Sequence, residues 1–185
     1  LEQLLEIGVD ISAGQINRLI TEGNELFHAE KEDILKAALA VSDYINVDDT
    51  GARHQGRNGY CTHIGNEMFA WFKSTQSKSR INFLTLLQGK HPGYLLNQDA
   101  FDYMKAHNLP QKTQQTLALL QTKSIKDKHA WEAALEGLDI TSRQHIRIAT
   151  EGVMIAALLE TRINKNLAII SDDAGQFDIL IHGLC

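Results

Sequence analysis

The apolar residues of this chain change their spacing near Tyr44, and that change restricts the fold more than any other feature. Before it, Leu4, Leu5 and Ile7 precede a polar break at Asp10, and Ile11, Ile16, Leu19 and Ile20 then recur at helical spacing, as do Leu26, Ile34, Leu35 and Leu39. That spacing predicts helices over residues 1–37, with Ser12 as an N-cap. From Tyr44 the period is two. Ile45, Val47 and Asp49 alternate with Asn46, Asp48 and Thr50, and Tyr60, Thr62 and Ile64 alternate again. Gly51, Gly56-Arg57-Asn58-Gly59 and Gly65-Asn66 supply turn chemistry, and Met68-Phe69-Ala70-Trp71-Phe72 is an aromatic-rich apolar run. This stretch predicts three strands in a meander.

Helical spacing returns after the meander. Ser77-Lys78-Ser79-Arg80 opens a helix carrying Ile81, Phe83, Leu84 and Leu87, which Gly89 and Pro92 stop. Residues 94–165 read as helical almost throughout, with breaks near Asn108-Leu109-Pro110 and Gly137-Leu138-Asp139 and no alternation. Leu167-Ala168-Ile169-Ile170-Ser171 is a short apolar run ending in Asp172-Asp173, as a buried strand would, and the tail through Leu184 reads as the start of a helix. The expected class is mixed α/β, with the fourth strand parallel to the first because their connection runs through helices. The expected divisions are an N-terminal helical region (1–40), a first part of the core (41–92), an all-helical insertion (93–165) and a second part of the core (166–185).

Composition narrows the function classes. At 185 residues and 43% hydrophobic content the chain can bury one core, and no apolar run approaches a membrane span, so no membrane partner is expected. Two cysteines, Cys61 and Cys185, make no disulfide framework and suit a reduced, cytoplasmic protein. The chain begins at Leu1 without a signal peptide and is read as an excised fragment. A net charge of −5 does not suggest a nucleic-acid binder, but it is unevenly spread. Residues 1–50 carry eleven acidic side chains against Arg18, Lys31 and Lys36, whereas residues 51–92 carry Glu67 against Arg53, Arg57, Lys73, Lys78, Arg80 and Lys90. The second stretch could follow a phosphate backbone, although charge blocks of this size also occur on solvated faces.

Two acid pairs are the candidate chemistry. Asp48 and Asp49 lie on the first predicted strand, and Asp172 and Asp173 end the fourth. Carboxylates on apolar strands are costly to bury unless they are paired or bind a cation, and two on neighbouring strands would form a hard-oxygen site suited to Mg²⁺. Either pair taken alone is more commonly a solvated strand end. The eight histidines show no metal-ligand spacing, and there is no glycine-rich phosphate loop or nucleophile elbow. Phe69, Trp71 and Phe72 could stack on bases but suit a core better.

The segment Val47-Asp48-Asp49-Thr50-Gly51-Ala52-Arg53, followed by Gly56-Arg57-Asn58-Gly59-Tyr60, resembles the opening of the catalytic core in certain DDE-type insertion-sequence transposases. There Ala-Asp-Glu-Thr-Gly precedes a basic residue and a Gly-Lys-Asn-Gly hairpin. Ile170-Ser171-Asp172-Asp173-Ala174-Gly175-Gln176-Phe177 resembles the family's second block. The resemblance covers residues 40–92 and 166–185 and implies a ribonuclease-H-like α/β fold with N-terminal helices and an all-helical insertion. It implies Asp48 and Asp172 as catalytic, metal-binding aspartates for Mg²⁺ (or Mn²⁺), with Asp49 and Asp173 as neighbours. The implied partner is DNA, both transposon ends and target, and family members act as multimers. Charge and position make Arg53, Arg57, Lys78 and Arg80 candidate phosphate contacts. In the family a third carboxylate, a glutamate, follows a cysteine segment, and here the chain ends at Cys185. Glu151 and Glu160 precede the fourth strand and do not replace it by motif. The chain alone is therefore expected neither to cut nor to join DNA. A non-catalytic transposon remnant that binds DNA or protein, and a nuclease on the same fold, are the alternatives.

Overall fold

The computed structural model describes residues 2–54, 56–90, 92–120, 123–172 and 174–179. By its internal contacts the chain divides into two compact units, Leu1–Ile34 and Leu35–Cys185. The first holds α1 (Glu2–Glu6), α2 (Ala13–Thr21) and the start of α3 (Glu25–Val41). Ser12 caps α2 as expected. Its hydroxyl accepts from the Gln15 amide at 3.2 Å, and its own amide donates to Gln15 Oε1 at 2.8 Å, so two otherwise orphaned donors are satisfied reciprocally. No residue of α1 or α2 is buried.

The second unit is mixed α/β. Its main sheet contains β1 (Tyr44–His54), β2 (Arg57–Gly65), β3 (Ala70–Thr75) and β6 (Ala168–Ile170), in the order β3-β2-β1-β6. The first three strands form the antiparallel meander, and β6 lies parallel to β1. Between β3 and β6 come α4 (Arg80–Gln88), β4 (Tyr94–Leu96), α5 (Gln98–Ala106), α6 (Gln111–Ala118), β5 (Lys123–Ile125), α7 (Lys128–Gly137) and α8 (Arg143–Thr161). Ser79 caps α4 through the Asn82 amide, and Gly89 ends the helix at φ 62°, a conformation that costs a residue without Cβ little. Among the described residues no helix is long and apolar enough to cross a membrane.

The alternating residues explain the core. Ile45, Val47, Ile64 and Trp71 point to one face of the sheet and are buried with Leu35, Leu39, Phe83, Leu84 and Leu87. Helix α8 is the centre of the helical layer. It is buried almost continuously from Ile148 to Leu158 and touches α4, α5 and β4, as expected for a helix apolar on most of its circumference. Its close approach to α5 falls at Gly152, where a Cβ would stand 2.9 Å from the Ala100 carbonyl oxygen.

Three expectations need correction. The block after α4 is not all-helical, because β4 and β5 pair antiparallel in a separate two-stranded sheet. Three residues are too few to display a period of two, so the strand character of Tyr94-Leu95-Leu96 is set by pairing and burial rather than by local pattern. Strand β3 begins at Ala70, not Met68. The Asn66 amide donates to the Phe69 carbonyl at 3.0 Å, and the Asn66 side chain accepts from Met68 N at 2.9 Å, which fixes residues 66–69 as a turn. The first hairpin is tighter than the predicted four-residue turn. Arg57, Asn58 and Gly59 already pair with His54, Arg53 and Ala52. The expected helix through Leu184 falls largely outside the described residues, which stop at 179.

A candidate metal centre at the parallel edge

Strands β1 and β6 pair Tyr44 with Ala168, Ile45 with Ile169 and Asn46 with Ile170. Two positions further along both segments, the same offset falls on Asp48 and Asp172. Paired residues of parallel strands face the same side, and successive residues alternate sides. Ile45 and Val47 face the core, so Asp48 faces away from it with Asn46, and both Asp48 and Asp172 are exposed. Continued past its last pair, this register would set Asp172, two residues beyond β6, level with Asp48 in the middle of β1. Thr50 Oγ1 lies 3.4 Å from Asp48 Oδ2, a long contact that leaves the carboxylate open to other ligands.

Asp49 points to the opposite side and is committed inside the fold. It accepts from Thr62 Oγ1 at 2.5 Å and from Gln176 Nε2 at 3.2 Å. Thr62 is its cross-strand partner, and Gln176 comes from the segment that follows β6. Asp173 lies outside the described residues.

Three of the four candidate phosphate contacts are exposed. Arg53 and Arg57 flank the β1–β2 hairpin, and Lys78 Nζ sits 5.7 Å from the centre of the Tyr60 ring. Arg80 is placed differently. Its Nη1 donates to the Tyr103 hydroxyl at 3.0 Å and lies 3.4 Å from Glu151 Oε2, while its Nη2 donates to the Gly175 carbonyl. Its side chain is 19% exposed, and it faces inward rather than offering a free cation. Burial opposes the charge on Arg80, but Tyr103 and Glu151 together hold its pKa above the ordinary guanidinium value. The Tyr103 hydroxyl, 2.8 Å from Glu151 Oε2, is pushed upward first by burial and then by the Glu151 charge. His107 packs on the Tyr103 ring with centroids 4.1 Å apart. Its pKa is lowered, mainly by burial and then by Arg80.

Two participants carried no sequence signal. Glu151 is 3% exposed, and only the folded arrangement shows that its role is to pair with Arg80. His63 is the cross-strand partner of Asp48, with its ring 4.8 Å from that of Phe72. A separation of fifteen positions across a hairpin is not a ligand spacing that sequence reading recognises.

The donor set suits a hard cation. Asp48 and Asp172 both offer exposed carboxylate oxygens, beside which Mg²⁺ could keep most of its waters. Among the described residues no group of three or more His, Cys, Asp or Glu gathers as a metal site, so any such centre would rest on this carboxylate pair.

No family model matches the chain, and no solved structure matches it. The chain is similar to the uncharacterized protein y4jO of Sinorhizobium fredii (strain NBRC 101917 / NGR234), with 37% identity over 154 residues. The match takes in 82% of this chain and 48% of that protein, so the chain spans about half the length of the curated relative it matches.

Proposed function

We propose that the chain is part of the catalytic core of a DDE-type transposase with a ribonuclease-H-like fold, acting on DNA by metal-dependent cleavage and strand transfer. The observation that carries this reading is the parallel register of β1 and β6. Its last pair, Asn46 with Ile170, stands two positions before Asp48 and Asp172, the two residues that the resemblance makes metal-binding, although more than a hundred positions separate them in sequence. The strand order β3-β2-β1-β6, a meander with a parallel strand added through helices, also supports this reading. Asp48 and Asp172 would hold Mg²⁺ or Mn²⁺. The bound cation would supply polarisation of the phosphoryl group and a more acidic attacking water or 3′-hydroxyl. Arg53, Arg57 and Lys78, all exposed, would contact phosphates and orient the duplex without reading its sequence.

Mn²⁺ titration followed by electron paramagnetic resonance tests the centre. The expected binding is weak, about 10⁻⁴–10⁻³ M by analogy with the weakest carboxylate-built Ca²⁺ sites. It is lost in both Asp48→Ala and Asp172→Ala and retained in Asp99→Ala, a control on α5. Equal binding by all four proteins refutes the centre. Duplex DNA binding that weakens with added salt and falls in an Arg53→Ala/Arg57→Ala variant is the expected companion result.

A further inference from the structure

We propose that Arg80 is a positioning residue for the segment that carries Asp172, held to that role by the buried carboxylate of Glu151. Arg80 is the first residue of α4, directly after the Ser79 cap. A cation in the first turn of a helix opposes the helix dipole, so its placement needs another cause. Glu151 supplies one. It is nearly fully buried on α8, with Arg80 Nη1 at 3.4 Å, the Tyr103 hydroxyl at 2.8 Å and the more exposed Arg147 Nε at 3.9 Å. A carboxylate at that depth needs a cation beside it, and Arg80 is the nearer of the two. The planar guanidinium then serves two elements at once. One nitrogen faces Glu151 and Tyr103, and the other bonds the Gly175 carbonyl.

The consequence concerns residues 170–175. Ile170 is the last residue of β6 paired to β1, and Gly175 is the point that Arg80 holds. Asp172 lies between these anchors. Beyond Gly175 the segment is fixed again, by Gln176 on Asp49 at 3.2 Å and by the buried Phe177 ring, edge-on to Phe83 at 4.9 Å. Phe83 stands three residues after Arg80 on α4, so one helix face supplies both holds. Without the Arg80 bond, the span around Asp172 keeps its strand anchor but loses the nearer of its downstream ones. A bridge built through the helical layer thus fixes the geometry of a carboxylate on the sheet. The step from segment to cation rests on the metal centre proposed above, and the holding of the segment does not.

The test uses the 185-residue chain with Arg80→Lys and Glu151→Gln. A lysine keeps a cation near Glu151, but its single ammonium cannot reach that carboxylate and the Gly175 carbonyl together. The glutamine keeps the shape of Glu151 and an acceptor for Tyr103 while removing the charge that orients Arg80. Hydrogen exchange reads the segment directly, because the Phe177 amide donates to the Ala174 carbonyl at 3.0 Å and is protected while the segment holds its shape. Local opening that the bond normally suppresses should speed exchange over residues 174–178 by about tenfold in both variants, with α5 and α8 unchanged. Mn²⁺ binding should weaken several-fold in the same proteins, and Arg147→Gln should alter neither. A folded Arg80→Lys protein whose segment exchanges at the wild-type rate overturns the proposal. Faster exchange with undiminished Mn²⁺ binding overturns the link to Asp172. A wild type that binds no Mn²⁺ sinks the metal centre alone, and the exchange result still decides the role of Arg80.

Discussion

Gly152→Ala is expected to destabilise the protein even though it improves a helix. Glycine inside a helix costs about 1 kcal/mol relative to alanine, so at an open site the substitution would stabilise α8 by up to that amount. Here the new Cβ would stand 2.9 Å from the Ala100 carbonyl oxygen and 3.3 Å from both Cγ and Cε of Met104. An ordinary contact needs roughly half an ångström more than the first of these. The obstacle includes α5 backbone, and Met104 is fully buried. Overpacking of this kind costs about 1–3 kcal/mol, which exceeds the propensity gain and leaves a net loss of about 1 kcal/mol. Thermal unfolding should show a fall in Tm of about 2–4 °C for a chain of this size. Gly137→Ala is the control. It lies in the last turn of α7 with nothing within 4 Å of a Cβ, and should leave Tm unchanged or slightly raised. Because Tyr103 and Glu151 meet across the same helix pair, the Gly152 variant should also loosen the Arg80 contacts and speed exchange at Phe177. A Gly152→Ala protein that melts at or above wild type refutes the claim that close backbone approach sets the α5–α8 spacing.

Two further results are expected. Asp49→Asn keeps an acceptor but removes the charge that Thr62 and Gln176 bond, so urea denaturation should show a loss of about 1 kcal/mol, with Mn²⁺ binding reduced less than in Asp48→Ala. The lowered pKa of His107 means that the unfolded chain takes up its proton first as pH falls, so His107 contributes stability that is present above about pH 6.5 and lost as pH drops through its folded value. Between pH 7.5 and 5.5 the urea midpoint of wild type should therefore fall more than that of His107→Phe, which keeps a ring against Tyr103, and parallel slopes would contradict the assignment.

Local chemistry made part of this fold legible. Ser12 and Ser79 announce their helices because a cap acts within four residues, and the meander is visible because Ile45, Val47, Ile64 and Trp71 alternate where one sheet face is buried. Asp48 and Asp172 stood out because each acid sits at an apolar strand and within a recognisable block. What escaped depends on partners distant in sequence. β4 and β5 are strands only because they find each other. Arg80 looks like one more cation in a basic stretch until Glu151, 71 positions away, claims it. His63 becomes the neighbour of Asp48 through hairpin register alone, and a shift of one residue would turn it to the other face.

The pairing of β6 with β1 also orders events in time. The meander closes through short hairpins, whereas β6 must return across a loop of more than a hundred residues. Closing a loop twice as long adds only about 0.6 kcal/mol, so the length of the helical block is thermodynamically cheap, but pairings this remote in sequence form slowly. Until β6 arrives, β1 is an edge strand that presents Ile45 and Val47 beside unpaired backbone groups, the kind of surface that recruits foreign strands. The newly made chain is therefore most vulnerable to aggregation between completion of the meander and the docking of β6, the strand that covers that edge.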